Sequence, residues 1–327
     1  MASPVIPEQV ASALRIKRER FSITVASWLR NEVRANTDLS NDLDWLMSVG
    51  GSWRPLLTMF AADLVGNSNE RIVQKIALAI ELGHRSSVIK DDLSDGSTIR
   101  RGFPTAHVRL GQARAIALSD LALSSSLAIA HDCQISGPFI EAYCRLAGGQ
   151  LRDVTGWAAS YEEALAVNRD KTATLTELAS VAVAQAVGLS EEPKHQLGRL
   201  GLQFGCAAQL LNDLHDFESP GGQVLDIGRE FLSGKVNAVA WAALERLSVS
   251  KRNLILESIR DPPVAPDVFV MFSEVVGSEA VQKRIRQSIA AMLADARETL
   301  YEFRECYARE ALLWIAGSIE RIELVNA

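Results

Sequence analysis

Residues 81–102 read Glu81-Leu-Gly-His-Arg-Ser-Ser-Val-Ile-Lys-Asp-Asp-Leu-Ser-Asp-Gly-Ser-Thr-Ile-Arg-Arg-Gly102 and close an otherwise apolar segment with acids, bases and a histidine. Helical spacing sets Asp91 and Asp95 on one face, with Asp92 beside them and His84 about two turns back. Three carboxylates this close repel one another, and at neutral pH they are tolerable only when solvated or neutralised by cations. An all-oxygen donor set suits magnesium, a hard ion that keeps waters and is usually shared with substrate phosphates. Arg100 and Arg101 follow within a short loop and bring guanidinium forks matched to phosphate oxygens.

A second acidic stretch, Gln209-Leu-Leu-Asn-Asp-Leu-His-Asp216, ends another long apolar segment. Facing helices with inward carboxylates are a common way for an all-helical protein to build a metal site. The acids of the first stretch fall at a helix C-terminus, where the dipole disfavours negative charge. A local conflict of that kind is what a functional site looks like.

Composition narrows the alternatives. Hydrophobic residues make up 48% of the chain but aromatics only 6%, a balance that favours close-packed helices. With 34 basic and 40 acidic side chains the net charge is −6, which gives no general electrostatic reason to bind nucleic acid. Cys133, Cys144, Cys206 and Cys306 lack metal-ligand spacing and read as reduced thiols inside the cell. The start, Met-Ala-Ser-Pro-Val-Ile-Pro, has no charged region followed by an apolar stretch, and no uninterrupted apolar run is long enough to span a bilayer. The expectation is a cytoplasmic protein without a transmembrane segment.

Along the chain, periodicity predicts an amphipathic helix from Glu8 to about Ala35, a polar break over 36–41 and a short helix from Asp42 to Val49. In Gly50-Gly51-Ser52-Trp53-Arg54-Pro55 the glycines permit a sharp turn and Pro55 opens the next helix, so Arg54 sits at an anion-favouring helix start. Asn67-Ser-Asn-Glu70 and Ser160-Tyr-Glu-Glu163 read as capping boxes. Gly148-Gly149-Gln150-Leu-Arg-Asp153 lies within a helix, and Lys171-Thr172 heads a strongly apolar one, near Gln150 if these helices line one cavity. A loop is expected over 218–222, breaks at 261–263 and Pro266, and a charged helix from Glu279 to Cys306. With no alternating strand pattern and no short repeat, the expected architecture is all-α: one domain, 1–327, of long helices around a central apolar cavity.

In this order the motifs resemble the trans-isoprenyl diphosphate synthases, the polyprenyl synthetase family of the isoprenoid synthase fold. Asp91-Asp-Leu-Ser-Asp95 with Arg100-Arg101 is similar to its first aspartate-rich motif, and Gln209 to Asp216 to its second. Gln150, Lys171-Thr172 and Gly234-Lys235 resemble its Gly-Gln, Lys-Thr and Gly-Lys elements. The resemblance implies Mg2+ held by Asp91, Asp92, Asp95, Asn212, Asp213 and Asp216 on the diphosphate of an allylic substrate, with Arg100, Lys171 and Lys235 neutralising it. Asp91, Asp92, Lys171, Gln209 and Asp213 would carry catalysis, with Gln150 and Thr172 at the substrate. Isopentenyl diphosphate would bind through Arg54, His84 and Arg101, and the partners would include a second copy of the chain. The product would be a linear trans-prenyl diphosphate. Where some relatives place bulky aromatics as a cavity floor, this chain has Ser86 and Ser87, which implies a tail of about twenty carbons or more.

Three departures keep alternatives open. The family's lysine after the two glycines is missing, the second acidic motif begins with Asn212, and no lysine falls between Phe217 and Gly234. A terpene cyclase or transfer to another acceptor is one alternative, although the cyclase pattern is incomplete at Asp216 and Pro220. A non-catalytic subunit of a heteromer is the other, and the intact first motif argues against it.

Overall fold

Gly66, with φ 69°, turns the chain so that Asn69 becomes the cap of the next helix, its side chain accepting from Ile72 N at 3.3 Å. Asn67, the predicted cap, instead accepts from Asn69 N at 2.9 Å. The computed structural model describes residues 6–32, 37–49, 51–67, 69–155, 158–217, 228–232, 234–260 and 264–320. Gly50, the loop expected over 218–222 and the break at 261–263 lie outside the described residues.

The first half comprises α1 (Glu8–Glu32), α2 (Thr37–Ser48), α3 (Trp53–Leu64), α4 (Glu70–Ser94), α5 (Ala106–Leu110), α6 (Gln112–Asp132) and α7 (Ser136–Thr155). Then come α8 (Tyr161–Asn168), a π-helical turn (Arg169–Ala173), α9 (Thr174–Ala186), α10 (Glu191–His215), α11 (Arg229–Leu232) and α12 (Ala238–Leu244). The chain ends in α13 (Val249–Arg260), α14 (Pro266–Val276), α15 (Glu279–Glu302) and α16 (Tyr307–Glu320). The predicted polar break at 36–41 is helical from Thr37 onward, and the helix predicted from Glu279 to Cys306 is α15, which ends at Glu302, with α16 following it.

The fold is all-α, with one small exception among the described residues that sequence periodicity did not signal. Strands β1 (Ile99–Arg100) and β2 (Phe103–Pro104) pair antiparallel just after α4. Arg101 (φ 52°) and Gly102 (φ 80°) form the turn, and two successive positive φ values match the right-handed twist of a two-residue hairpin.

Helix α4 packs chiefly on α6 and also on α3 and α9, while α10 packs on α9 and α15. Phe60, Ile76, Ile80, Leu82, Phe204 and Leu210 are fully buried between these helices. Both acid-bearing helices therefore have apolar faces that fix their orientation, and their last turns arrive at one end of the bundle. Helix α6 is long and apolar enough by length and composition to cross a membrane, with mean hydropathy 1.3, although Arg114, Asp120 and its serines interrupt the apolar run. One third of it is buried, and it packs chiefly on α4, with α5 and α7 beside it.

Candidate active site

Positions 83, 87 and 91 of α4 recur at i and i+4 and so lie above one another on one face. Gly83, Ser87 and Asp91 all line a cavity of about 500 Å³ enclosed with α7, α9, α10 and the β1–β2 hairpin. At one end stand Asp91, Asp92 and Asn212, with Arg100, Lys171 and Gln150; at another stand Arg54, His84, Arg85 and Arg101. Thr172 and Gln209 complete the predicted residues on its wall.

Cations hold the acids in place. Arg100 donates Nε to Asp92 at 2.7 Å and Nη2 to Asp91 at 3.2 Å. Lys171 lies 2.8 Å from Asp91, and Gln150 donates to the same carboxylate at 3.3 Å. Burial by itself would raise the Asp91 pKa, but Lys171, with Arg100 and Lys235, outweighs it and holds that carboxyl below its ordinary value. Asp92 is pushed up by burial, against the pull of Arg100, and Asp95 by burial and the charge of Asp91.

Local backbone features explain these positions. Lys171 sits in the π-helical turn, which offsets it from the regular register of α9. Gly149 of α7 makes room for that turn: a Cβ there would lie 2.6 Å from Lys171 N. At the hairpin tip the left-handed conformation of Arg101, unfavourable for a residue with a side chain, places a guanidinium on the cavity wall.

The structure divides the predicted metal residues. Asp213 faces a smaller hollow of about 30 Å³ that shares Lys171 and Gln209 with the main cavity. There it accepts from Asn168 at 2.8 Å and Gln209 at 2.7 Å. Burial, together with the charge of Glu230, pushes the Asp213 pKa up to about 8. Asp216 caps α10 and accepts from Glu230 N at 3.4 Å, and it lines neither hollow. Lys235 lies in the smaller hollow and bonds Asp95 at 2.5 Å and Asp153 at 2.8 Å. The two acidic segments thus adjoin through Lys171, which also reaches Asp153 at 2.7 Å.

Among the described residues, no three acidic, histidine or cysteine side chains form a cage for an ion by themselves. The donors are all oxygens, and a buried carboxyl with its pKa raised to about 8 is one that a neighbouring dication would favour as carboxylate. Such a set fits a hard ion completed by waters and substrate oxygens.

Arg54 Nη1 donates to His84 Nε2 at 3.0 Å, so that nitrogen carries no proton. Burial and the guanidiniums of Arg54, Arg85 and Arg101 hold His84 well below the ordinary histidine value.

At the deep end, Ser86 is buried and its hydroxyl lies 3.0 Å from that of Ser119 on α6, while Ser87 donates to His84 O at 2.8 Å. Tyr143 of α7 fills the space over Gly83, where a Cβ would lie 1.4 Å from its hydroxyl, and Ser126 fixes that hydroxyl at 2.8 Å. Tyr143, Asp153, Asn168 and Glu230 were not among the predicted site residues. Asp153 carried a signal, since it lies three positions after Gln150 on one helix face. The others depend on partners distant in sequence.

The sequence matches the polyprenyl synthetase family over residues 37–272. An all-trans-nonaprenyl-diphosphate synthase (geranyl-diphosphate specific) of Rhodobacter capsulatus is 27% identical over 239 residues, 68% of this chain and 73% of that protein. A geranylgeranyl diphosphate synthase of Methanosarcina mazei is 30% identical over 216 residues, 62% of this chain and 66% of that protein. Among solved structures, a decaprenyl diphosphate synthase from Rhodobacter capsulatus has a TM-score of 0.85 at 21% identity, over 96% of this chain and 98% of that one. A polyprenyl synthase from Caulobacter crescentus, complexed with calcium and isoprenyl diphosphate, has a TM-score of 0.82 at 23% identity, over 97% of each chain. These two structures share the fold. Since the family match extends over most of the sequence and takes in both acidic segments, the chain belongs to the polyprenyl synthetase family of trans-prenyltransferases.

Proposed function

We propose that the protein is a magnesium-dependent synthase that condenses isopentenyl diphosphate with an allylic diphosphate to a linear trans-prenyl diphosphate. The observation that carries this reading is one cavity with an acidic end, an arginine end and an apolar depth. Asp91, Asp92 and Asn212, with Asp95, Asp213 and Asp216 behind them, would hold the ions. Magnesium held by these residues would supply Lewis-acid neutralisation of the diphosphate leaving group. Arg100, Lys171 and Lys235 share that neutralisation, and Gln150, Thr172 and Gln209 orient the group. Arg54 and Arg101 hold the acceptor diphosphate, with neutral His84 fixed against Arg54. The acceptor double bond attacks the allylic carbon as its bond to diphosphate breaks, and the proton lost from the acceptor passes to the departing diphosphate. Apolar walls exclude water from the developing cation.

A product of about twenty carbons or more follows from the small side chains of Ser86 and Ser87, which both line the cavity, Ser87 one turn below Asp91. The same reading makes the chain a single-domain, cytoplasmic protein that pairs with a second copy, and exposed Ile116 on α6 with exposed Ile140 and Val154 on α7 supports the pairing.

The test is incubation with magnesium and an allylic diphosphate, with and without isopentenyl diphosphate. Elongated diphosphate only when both are present supports the proposal. Hydrocarbon or alcohol from the allylic substrate alone overturns it in favour of cyclisation, and turnover only with another protein overturns it in favour of a subunit role.

A further inference from the structure

The arginine end of the cavity holds more positive charge than the sequence motifs account for. Arg85, one residue after His84, is 6% exposed and lines the same wall as Arg54 and Arg101. It forms an ion pair with fully buried Glu81 at 2.6 Å, and its Nη1 donates to the carbonyl of Val49. Three guanidiniums therefore face one carboxylate. Mutual repulsion is felt throughout: burial and the charges of Arg101 and Arg85 bring Arg54 down to about 10 against the opposing pull of Glu81, and burial with Arg85 and Arg100 lowers Arg101.

Two donors in this cluster are unspent. The Nε atoms of Arg54 and Arg85 are buried without a hydrogen-bond partner, and Arg54 is itself only 8% exposed. Positive charge in excess of the one buried carboxylate, with idle donors, is costly unless a further anion completes it. A diphosphate offers several negatively charged oxygens suited to several guanidinium forks at once.

We infer that Arg85 is a third arginine of the acceptor-diphosphate subsite, holding the anion with Arg54 and Arg101 while fixing the Val49 end of the segment that leads to Arg54. This rests on the function proposed above and deepens it: the cation absent from the glycine loop, where Ser52 and Trp53 stand, is supplied from α4. Glu81 sets the strength of the subsite, because it offsets one of the three charges.

The experiment is calorimetric titration of the intact protein with inorganic pyrophosphate without divalent ions, beside steady-state kinetics for both substrates. Arg85→Met is expected to weaken pyrophosphate about tenfold or more, the usual scale for a hydrogen bond to a charged group. It is expected to raise KM for isopentenyl diphosphate similarly while KM for the allylic diphosphate stays near the parent's. Pyrophosphate affinity equal to the parent's, or an equal rise in both KM values, overturns the inference. If Arg85→Met fails to fold, Glu81→Gln decides: tighter pyrophosphate binding supports the subsite, and unchanged binding overturns it. A parent protein that ignores isopentenyl diphosphate yet binds pyrophosphate through Arg85 removes the acceptor's identity and leaves the anion subsite standing.

Discussion

The ammonium of Lys171 lies 2.8 Å from Asp91, on the first acidic helix, while its second partner, Asp153 at 2.7 Å, lies on α7. Lys235 meets the same Asp153 at 2.8 Å and reaches Asp95 at 2.5 Å. Asp153 is thus the joint between two lysines that neutralise the acids.

That joint can be tested. Asp153→Asn is expected to lower kcat about 10- to 100-fold, the usual cost of losing a group that orients catalytic side chains. Thermal stability should change little, because Lys171 and Lys235 keep Asp91 and Asp95. Steady-state kinetics beside a melting curve checks this, and a kcat equal to the parent's would exclude the positioning role.

Asp91→Ala and Asp92→Ala are each expected to cut turnover by about a thousandfold, the upper range for one lost electrostatic group at a reacting centre. Their far-UV circular dichroism should match the parent's. Near-parental activity in either variant would remove it from the site.

Chain length should respond in opposite directions at two positions. Ser86→Phe is expected to shorten the product. Tyr143→Ala should lengthen it by opening the space beside Gly83, about 12 Å below Asp91 at 1.5 Å per helical residue. Chromatography of dephosphorylated products reads both, and an unchanged distribution in both variants would mean that growth is stopped elsewhere.

Gly83→Ala should destabilise the protein by about 1–3 kcal/mol, since overpacking forces Tyr143 off its Ser126 hydrogen bond. Chemical denaturation measures it, and the double variant Gly83→Ala/Tyr143→Ala should recover part of the loss.

His84 gives a pH dependence of known sign. Its folded pKa lies well below the ordinary 6.5, so the unfolded chain takes up a proton that the folded one refuses. The stabilisation is complete above pH 6.5 and falls as the pH drops below it toward the folded value. His84→Gln should flatten this acid limb in urea titrations across pH. A His84 imidazole resonance that titrates near pH 6.5 in the folded protein would contradict it.

Much of this was readable in the residues themselves. The all-α class, the two acidic segments and the arginines after the first followed from periodicity and spacing, because a helix repeats every 3.6 residues and fixes which side chains share a face. Turn chemistry was harder. The cap at Asn69 in place of Asn67 and the hairpin at Ile99–Pro104 depend on single positive-φ residues that periodicity does not register.

Residue order alone carries the inventory: which acids, which cations, on which helices, and the family they belong to. Which of them meet depends on how the helices pack. Asp213 came to lie in a hollow beside the main cavity, Tyr143 came to rest over Gly83, and Arg85 joined Arg54 and Arg101. Helical spacing operates over a few residues, whereas these contacts join elements far apart in sequence, whose placement is set by the packing of their buried faces.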